Sequence, residues 1–572
     1  MYPRPNFSVL LALSLALNIA GGNSDRDDRI QPDREYARDR AHMVFNAVHS
    51  AGRLWGSALY HNGFGFFPAT VPMGTTFYHG SRSNDTPSSP EWLAFDIEHA
   101  ENFARSFRSR RGRGRPGRPP QTKSSNEKVI GTGEIEPESE EYREELRRRS
   151  DDTILSTGDA ETDVSETTEG DDPVNFRGYL HTYQTSRELN VLVVDGMSAG
   201  KTSMGTLDSQ DLLLRENNTS GKLDEWDRAL DLCKLASEWG LDGFVRAEIG
   251  VEIIKCDFGN GLNLDSMIRT ELHDKTMGGF RLAMFQWVRA VAERYDGVGA
   301  DRLRIDFSSM VSGLFFPVNI SSTMPERPDL KRLGAATLDE LRDIKKYLKD
   351  ILRQPRRFTV NWQGTTDLII NRYSKRLALM AHRSLSLRHF VDEIESATLT
   401  WVDAPPAPDD VSMAGREATN RTADAIEQCR IHYLRPALSA KERWSAEDEL
   451  IYTSFDAVLN VICQTLFSVR SRLLEASGSN LTDYRIKGDM DNNAELEKAI
   501  EDGRITIQEL IDTLGWSIWK RPQPCAPDET SMIAMWPFGT KEDHWHPGCR
   551  AIDTVQHPTD SYWDLHLPRR NA

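Results

Sequence analysis

Short apolar runs bounded by turn residues occupy the first half of the chain and predict a sheet there. Residues 178–184, 189–195 and 243–258 have the character of strands, and the Val-Leu-Val-Val run in the second suits a buried position. Residues 64–77 form a further β-rich stretch, and residues 91–107 predict a short strand followed by a helix. The N-terminal part is therefore expected to be a mixed α/β unit.

Helical periodicity predominates elsewhere. One helix is expected over 36–55 and another over 223–239, where Gly240 supplies a stop. Beyond residue 260 the pattern is mainly helical, and a loop held by cysteines is expected from residue 522. The expected helices there are 277–295, 337–353, 366–385, 412–434, 446–475 and 493–502, with one more strand at 302–311. The predicted fold class is α+β, with a mainly α-helical C-terminal part.

A charged segment divides the N-terminal unit. Residues 105–128 hold nine basic residues and one acidic residue, and residues 131–172 hold sixteen acidic residues and four arginines. Aromatic and branched aliphatic residues are sparse, so ordering this segment would not repay its entropy. A disordered insertion is predicted at 105–172.

The N-terminus indicates the compartment. Arg4 precedes an apolar stretch at 9–19 and three small residues, which is the pattern of a secretory signal peptide. We therefore predict a secreted glycoprotein, with N-glycans at Asn217, Asn218, Asn319, Asn420 and Asn480. The six cysteines allow fifteen disulfide connectivities. Proximity in sequence favours Cys233–Cys256, Cys429–Cys463 and Cys525–Cys549.

These features together predict six segments. They are a signal peptide at 1–22, the first half of the α+β domain at 23–104, the insertion at 105–172, the second half at 173–320, a helical domain at 321–521 and a loop-rich tail at 522–572. Beyond the first 25 positions no run of 18 apolar residues occurs, so no transmembrane anchor is expected. The net charge of −17 in 572 residues argues against nucleic acid as a partner.

Two local motifs invite a chemical interpretation. The strand at 189–195 runs into Gly200-Lys201-Thr202, which suggests a P-loop, but the glycine required at position 195 is an aspartate. A nucleotide site at 196–202 therefore stays a remote alternative. In the tail, His544, His546 and Cys549 are metal-type ligands, but a surface loop with a disulfide is favoured and no metal is expected.

A third motif carries a resemblance to a known family. Gly74-Thr-Thr-Phe-Tyr-His79-Gly-Ser, followed by Trp92-Leu-Ala-Phe-Asp96, is similar to the NAD-binding core of the His-Tyr-Glu class of ADP-ribosyltransferases. The resemblance implies NAD as co-substrate, with His79, Gly80 and Trp92 binding it. Glu252 would be the catalytic glutamate, with Glu248 as the alternative, and His79 would be its catalytic partner.

The chemistry that the resemblance implies makes a geometric demand. Cleavage at nicotinamide builds positive charge on the ribose, so a fixed carboxylate lowers the barrier. His79, Trp92 and either Glu248 or Glu252 should therefore face one cleft. The family usually has Tyr or Ser where Trp92 stands, and the alternative is a buried His79 in a turn with Glu252 on the surface.

A wider resemblance extends over about 45–320. Phrases such as Arg53-Leu-Trp-Gly-Ser, Glu91-Trp-Leu-Ala-Phe and Asp195-Gly-Met-Ser-Ala-Gly resemble an uncharacterised family of predicted secreted proteins from filamentous fungi. That family brings no activity with it. The sequence thus leaves two functions open: an ADP-ribosyltransferase-like or NAD glycohydrolase enzyme, and a non-catalytic secreted structural or interaction protein.

Overall fold

The structure, a computed structural model, describes most of the chain outside the N-terminus and the charged insertion. The described residues are 29–104, 107–109, 174–176, 178–216, 224–270, 285–292, 298, 301–403, 421–478, 481, 494–522, 524–551, 554 and 561–563. The predicted signal peptide, most of the predicted insertion and four of the five predicted glycan sites lie outside these residues. Asn319, the fifth, is exposed.

A ten-stranded sheet forms the centre of the N-terminal part. The described residues contain fourteen strands, of which ten belong to this sheet: β1 Asn62–Val71, β2 Thr76–Ser81, β3 Glu91–Ala94, β4 Phe107–Ser109, β5 Val174–Phe176, β6 Tyr179–Thr185, β7 Leu189–Gly196, β8 Gly243–Glu248, β9 Gly250–Lys255, β10 Leu262–Arg269, β11 Arg304–Ile305, β12 Val311–Ser312, β13 Glu529–Met532 and β14 Gly548–Ala551. The sheet order is β10-β6-β2-β3-β9-β8-β7-β1-β11, with β12 also beside β1, while β4–β5 and β13–β14 form separate pairs. Only β7 and β8 run parallel within it.

Helices cover the sheet and build the C-terminal part. They are α1 Arg34–Asp39, α2 Ala41–Ser50, α3 Leu54–Leu59, α4 Ile97–Glu101, α5 Glu225–Trp239, α6 Leu338–Leu352, α7 Trp362–Ala381, α8 Leu387–Thr398, α9 Arg421–His432, α10 Arg435–Ser439, α11 Ala446–Ala476, α12 Ala494–Leu514 and α13 Lys541–Trp545. A π-helical segment, Asp208–Leu214, follows β7. The described residues therefore form a mixed sheet followed by a mostly helical part, which confirms the predicted α+β class.

Local sequence explains where several helices begin and end. Thr337 caps α6 and forms a capping box with Glu340, whose side chain accepts from the backbone of Thr337. Ser445 begins α11 in the same way, with Asp448. The predicted stop of α5 is confirmed, because Gly240 adopts a left-handed φ of 68°.

One continuous hydrophobic core joins the sheet to the helices. It includes Phe45 of α2, Val193 of β7 and Phe455 of α11. Helix α11 is long and apolar enough to cross a membrane, but 56% of its most apolar window is buried inside the protein. A core helix passes the same test, so a transmembrane anchor is not clearly indicated.

Several predictions of secondary structure were wrong. The helix expected over 36–55 is three short helices, because the chain leaves helical geometry at Arg40 and turns again at Gly52, whose φ is 69°. The single strand expected over 243–258 is the β8–β9 hairpin, which turns at Gly250. Beyond residue 260 the chain was expected to be helical, yet β10 is a strand at the edge of the sheet. Seven of its eight residues are exposed, so no alternation of apolar residues marked it.

The three disulfides follow the pairing by sequence proximity. Cys233 bonds to Cys256, Cys429 to Cys463 and Cys525 to Cys549. The third bond closes the β13–β14 hairpin, so the tail expected to be loop has a short sheet and one helical turn. The disulfides are compatible with an extracellular protein.

Candidate functional site

One row of side chains crosses four strands of the sheet on the same face. Tyr78 of β2 lies opposite Ala94 of β3, Ala94 lies opposite Glu252 of β9, and Glu252 lies opposite Arg246 of β8. Residues directly opposite one another in paired strands point to the same face. The pairing therefore brings Glu252 next to Arg246, on the face that also carries Trp92, which stands two residues before Ala94.

Buried ion pairs connect this row to two neighbouring segments. Arg246 lies 2.6 Å from Glu252 Oε1 through Nη2 and 2.6 Å from Glu225 Oε1 of α5 through Nη1. Lys201 Nζ, in the loop after β7, lies 3.2 Å from Glu248 Oε2 and 3.4 Å from Glu225 Oε2. Five charged side chains thus form one cluster, which we call the ionic cluster: Lys201, Glu225, Arg246, Glu248 and Glu252.

The π-helical segment 208–214 extends the ionic cluster away from β9. Arg246 Nη1 donates to Gln210 Oε1 at 3.1 Å. Arg228 of α5 donates to both carboxylate oxygens of Asp211 at 2.9 Å. π-Helical turns widen a helix by one residue and are frequent at functional sites. Here the segment directs Gln210 toward Arg246 and Asp211 toward Arg228.

A buried histidine lies at the other end of the ionic cluster. His99 of α4 is 2% exposed, and its Nε2 lies 3.8 Å from Glu248 Oε1. Its ring stacks on Trp287 with a centroid separation of 5.3 Å, and its Nδ1 has no hydrogen-bond partner among the described residues. Burial lowers the pKa of His99, Glu248 raises it and Lys201 lowers it further, with a net decrease. The imidazole is therefore neutral.

Glycine is required at the turn that faces this histidine. Gly250 joins β8 to β9 with a φ of 107°, and a Cβ there would lie 2.8 Å from His99 Nδ1. Both the left-handed backbone and the close approach of the ring exclude a larger side chain.

The two glutamates beside Arg246 have pKa values displaced in opposite directions. Burial raises the pKa of Glu252 to about 7; Arg246 opposes this shift and Glu248 adds to it. Burial also favours the neutral form of Glu225, but Arg246 and Lys201 outweigh it and hold the pKa of Glu225 well below its usual range. Glu252 can therefore hold a proton near neutral pH, while Glu225 stays ionised. Two carboxyl groups with pKa values shifted apart are typical of sites of general acid–base catalysis.

The same residues include a set of metal-type ligands. His99, Glu248 and Glu252 each offer one ligand atom, and these atoms lie within 4.8 Å of one another. However, Glu248 already contacts Lys201 and Glu252 already contacts Arg246. Two adjacent cations repel a divalent ion, so the arrangement suits proton handling better than metal binding.

His79 and Glu252 do not face the same side of the sheet. His79 follows Tyr78 in β2, so the pleat directs its side chain to the face opposite Glu252. Its ring packs against Phe258 at 5.6 Å, and its Nδ1 is 2.9 Å from the carbonyl oxygen of Trp92. Burial lowers the pKa of His79 to about 4, with the bond to Trp92 opposing the shift. A direct contact of His79 with NAD stays a prediction.

Gly80 and Trp92 lie on the face of the ionic cluster. A Cβ on Gly80 would lie 2.0 Å from the carbonyl oxygen of Ala100, so this glycine lets α4 approach β2. Trp92 is half-buried and meets Trp226 of α5 edge to face, with centroids 4.7 Å apart. Trp92 and Glu252 therefore lie on one face of the sheet, and their role toward NAD stays a prediction.

The loop at 196–202 does not have the geometry of a P-loop. The Asp195 carboxylate accepts from the amide of Gly196 at 2.9 Å, which occupies a donor that a phosphate would need. Burial raises the pKa of Asp195 to about 6, against the effect of its bonds to backbone amides. Lys201 points instead into the ionic cluster.

In the tail, the metal-type residues have structural partners. Cys549 forms the disulfide with Cys525, as expected, and the ring of His544 stacks on Tyr562 with centroids 3.9 Å apart.

Sequence reasoning missed four members of the site: His99, Lys201, Glu225 and Arg246. One signal was present. Arg246 interrupts the apolar run Gly-Phe-Val-Arg-Ala in a strand, and a charge buried there requires a partner. The partner on α5 could not be identified from sequence.

Comparisons with known proteins support only the coarser part of the wider resemblance, which is the likeness to uncharacterised proteins. Residues 33–281 match the family model of the YPL277C N-terminal domain. The chain resembles an uncharacterised family. It is 24% identical to "Uncharacterized protein YOR389W" of Saccharomyces cerevisiae over 90% of this chain and 85% of that protein. It is 27% identical to "Uncharacterized protein YPL277C" of the same yeast over 43% of this chain and 46% of that protein. No solved structure matches.

The whole ionic cluster and His99 fall inside residues 33–281. The family match therefore includes the residues that the structure brings together, whereas the helical part that follows lies outside it.

Proposed function

We propose that this chain is a secreted, ADP-ribosyltransferase-like protein that binds NAD and cleaves its bond to nicotinamide at the ionic cluster. The observation that carries the proposal is the placement of Glu252 and Glu248 on the face that also carries Trp92 and Tyr78. A half-buried aromatic ring beside a pair of buried carboxylates suits a planar base joined to a sugar.

In this proposal Glu252 supplies the negative charge that the reaction needs. As the bond breaks, nicotinamide leaves with the bonding electrons, positive charge develops on the ribose and a fixed carboxylate stabilises it. Water then bonds to the ribose carbon and loses a proton, which gives ADP-ribose. Arg246 orients Glu252 through the 2.6 Å contact, and Lys201 balances the charge of Glu248. Because the pKa of Glu252 is about 7, the ionised form increases through neutral pH. The rate should therefore rise with pH across that range.

His79 has an indirect role in this arrangement. Its Nδ1 holds the carbonyl of Trp92 at 2.9 Å, so His79 fixes the strand that presents Trp92. Loss of His79 should weaken NAD binding through Trp92 more than it slows the chemical step.

Secretion rests on separate observations. The three disulfides and the exposed Asn319 suit a lumenal, glycosylated protein. Digestion of secreted protein with a glycosidase that removes N-glycans should lower its mass, and peptide mapping should find the glycan on Asn319. An intracellular protein with free thiols would refute this part of the proposal.

A second candidate function is that of a non-catalytic structural or interaction protein. It is favoured by the fact that each carboxylate of the ionic cluster contacts a cation and that Glu248 and Glu252 are 8% and 5% exposed. Such a cluster can also be purely structural.

Release of nicotinamide from NAD separates the two functions. Purified wild-type protein should release it, Glu252→Gln should lose most of the activity, and His79→Ala should raise KM. Glu101→Gln is the matched control, because Glu101 lies exposed on α4 beside His99. Equal background release by wild type and Glu252→Gln, with both folded, would exclude the enzyme.

A further inference from the structure

A loop from the C-terminal part of the chain contacts the ionic cluster. Strands β13 and β14 form a hairpin closed by Cys525–Cys549, and residues 533–547 connect them. Within this connection Ile533, Ala534 and Met535 are fully buried. We call residues 525–549 the C-terminal loop. It lies outside the residues that match the family model, yet it packs onto them.

Trp536 of the C-terminal loop contacts Lys201 directly. Lys201 Nζ lies 4.6 Å from the centroid of the Trp536 ring, which is within the range of a cation–π interaction. The backbones also approach closely: a Cβ on Gly200 would lie 3.2 Å from Trp536 Cβ. The lysine is thus held on one side by an indole face and on the other by Glu225 and Glu248.

Further contacts fix the loop in this position. Thr202, next to Lys201, donates from its hydroxyl to the carbonyl oxygen of Trp563 at 3.1 Å, and Trp563 Nε1 donates to the carbonyl oxygen of Phe538 at 3.0 Å. Phe538 meets Trp287 edge to face at 6.2 Å, and Trp287 stacks on His99. The C-terminal loop therefore contacts the ionic cluster directly at Lys201 and is connected to His99 through Trp287.

We infer that the C-terminal loop completes the candidate site, and that Trp536 is a positioning residue that holds Lys201 between Glu225 and Glu248. Without the indole, the flexible lysine chain gains freedom and its ammonium can leave Glu248. Glu248 then faces Glu252 without a balancing cation. The ionic cluster, which lies within the residues that match the family model, therefore depends on the C-terminal loop to keep Lys201 beside Glu248.

The reactivity of Lys201 tests this inference without any substrate. Trace acetylation of the full-length protein with acetic anhydride, read by mass spectrometry at several pH values, reports the freedom of each amine. Trp536→Leu should raise the acetylation rate of Lys201 by about tenfold, because the free energy of a desolvated cation–π contact corresponds to about a tenfold change in an equilibrium constant. Trp536→Phe keeps an aromatic face and should stay near wild type.

Two controls keep the result specific. Lys346, exposed on α6, serves as the internal reference amine. Trp545→Leu removes the other tryptophan of the C-terminal loop, which lies over Arg327 and not over Lys201, and should leave Lys201 unchanged. Near-ultraviolet circular dichroism establishes that each variant is folded, and Trp536→Met, which also lacks an aromatic face, replaces Trp536→Leu if that variant does not fold.

An unchanged rate at Lys201 in folded Trp536→Leu would overturn the inference, as would equal increases in Trp536→Leu and Trp536→Phe. The inference rests on the proposed function only for its catalytic consequence. If wild-type protein releases no nicotinamide, the proposed function fails, while the acetylation result still decides the role of Trp536.

Discussion

Removal of Arg246 is the perturbation that the ionic cluster should tolerate least. Its guanidinium is fully buried and lies 2.6 Å from both Glu225 and Glu252. Arg246→Met keeps much of the volume of the side chain but leaves two buried carboxylates without their nearest cation. Breaking a buried ion pair from one side costs about 3–5 kcal/mol, because the remaining charge stays desolvated.

The pH dependence of this cost distinguishes a charge effect from a packing effect. Without Arg246 the pKa of Glu252, already raised by burial, rises further, so the folded protein binds a proton that the unfolded chain releases. Folding stability of the variant should then fall as pH rises from about 5 to 8. At pH 5 Glu252 is neutral in both proteins, and the difference between variant and wild type should shrink.

Urea denaturation at pH 5 and pH 8 measures both quantities. The control is Arg304→Met, which removes an exposed ion pair with Asp301 three residues earlier and should change stability little at either pH, because solvent screens this pair. If Arg246→Met is no less stable than Arg304→Met, or if its deficit is the same at both pH values, the charge of the cluster does not govern its stability.

Three further predictions concern the rest of the molecule. Burial lowers the pKa of His61 to about 4 and that of His544 to about 3. Because these pKa values in the folded state lie below the pKa of an unfolded histidine, the stability that both side chains contribute is complete above about pH 6.5 and is lost as the pH falls toward 4. Thermal midpoints measured over a pH series will show this loss, and a flat series would contradict it. Gly80→Ala places a Cβ 2.0 Å from a backbone oxygen of the neighbouring helix and should lower the thermal midpoint. Gly478→Ala meets no atom within 4 Å and is strained only by the backbone φ of 72°, so it should lower the thermal midpoint less. Replacing Cys233 and Cys256 by serine opens a loop with a sequence separation of 23 and should cost about 3 kcal/mol in urea denaturation; equal midpoints would refute it.

Local features of the fold could be read from the chain because their causes are local. The helix expected over 337–353 is present as Leu338–Leu352, since the capping box and the apolar stripe both lie within the segment. The disulfide pairing also followed proximity in sequence, since the bonded cysteines are 23, 34 and 24 positions apart. Strand β10 could not be read, because an exposed edge strand is held by the backbone of β6 and leaves no apolar alternation.

For the candidate site, the sequence by itself determined the residue types and the extended character of the segments that carry them: Trp92 stands in a predicted short strand, and Glu248 and Glu252 stand in the segment 243–258, which was predicted as one strand. Only the tertiary structure decided their partners. The pleat of β2 turned His79 away from Glu252, and strand pairing placed Arg246 opposite Glu252. Lys201, Glu225 and His99 come from three other segments, and a buried charge is stable only where such segments meet. That meeting depends on the packing of the whole chain, including the C-terminal loop, and no single segment encodes it.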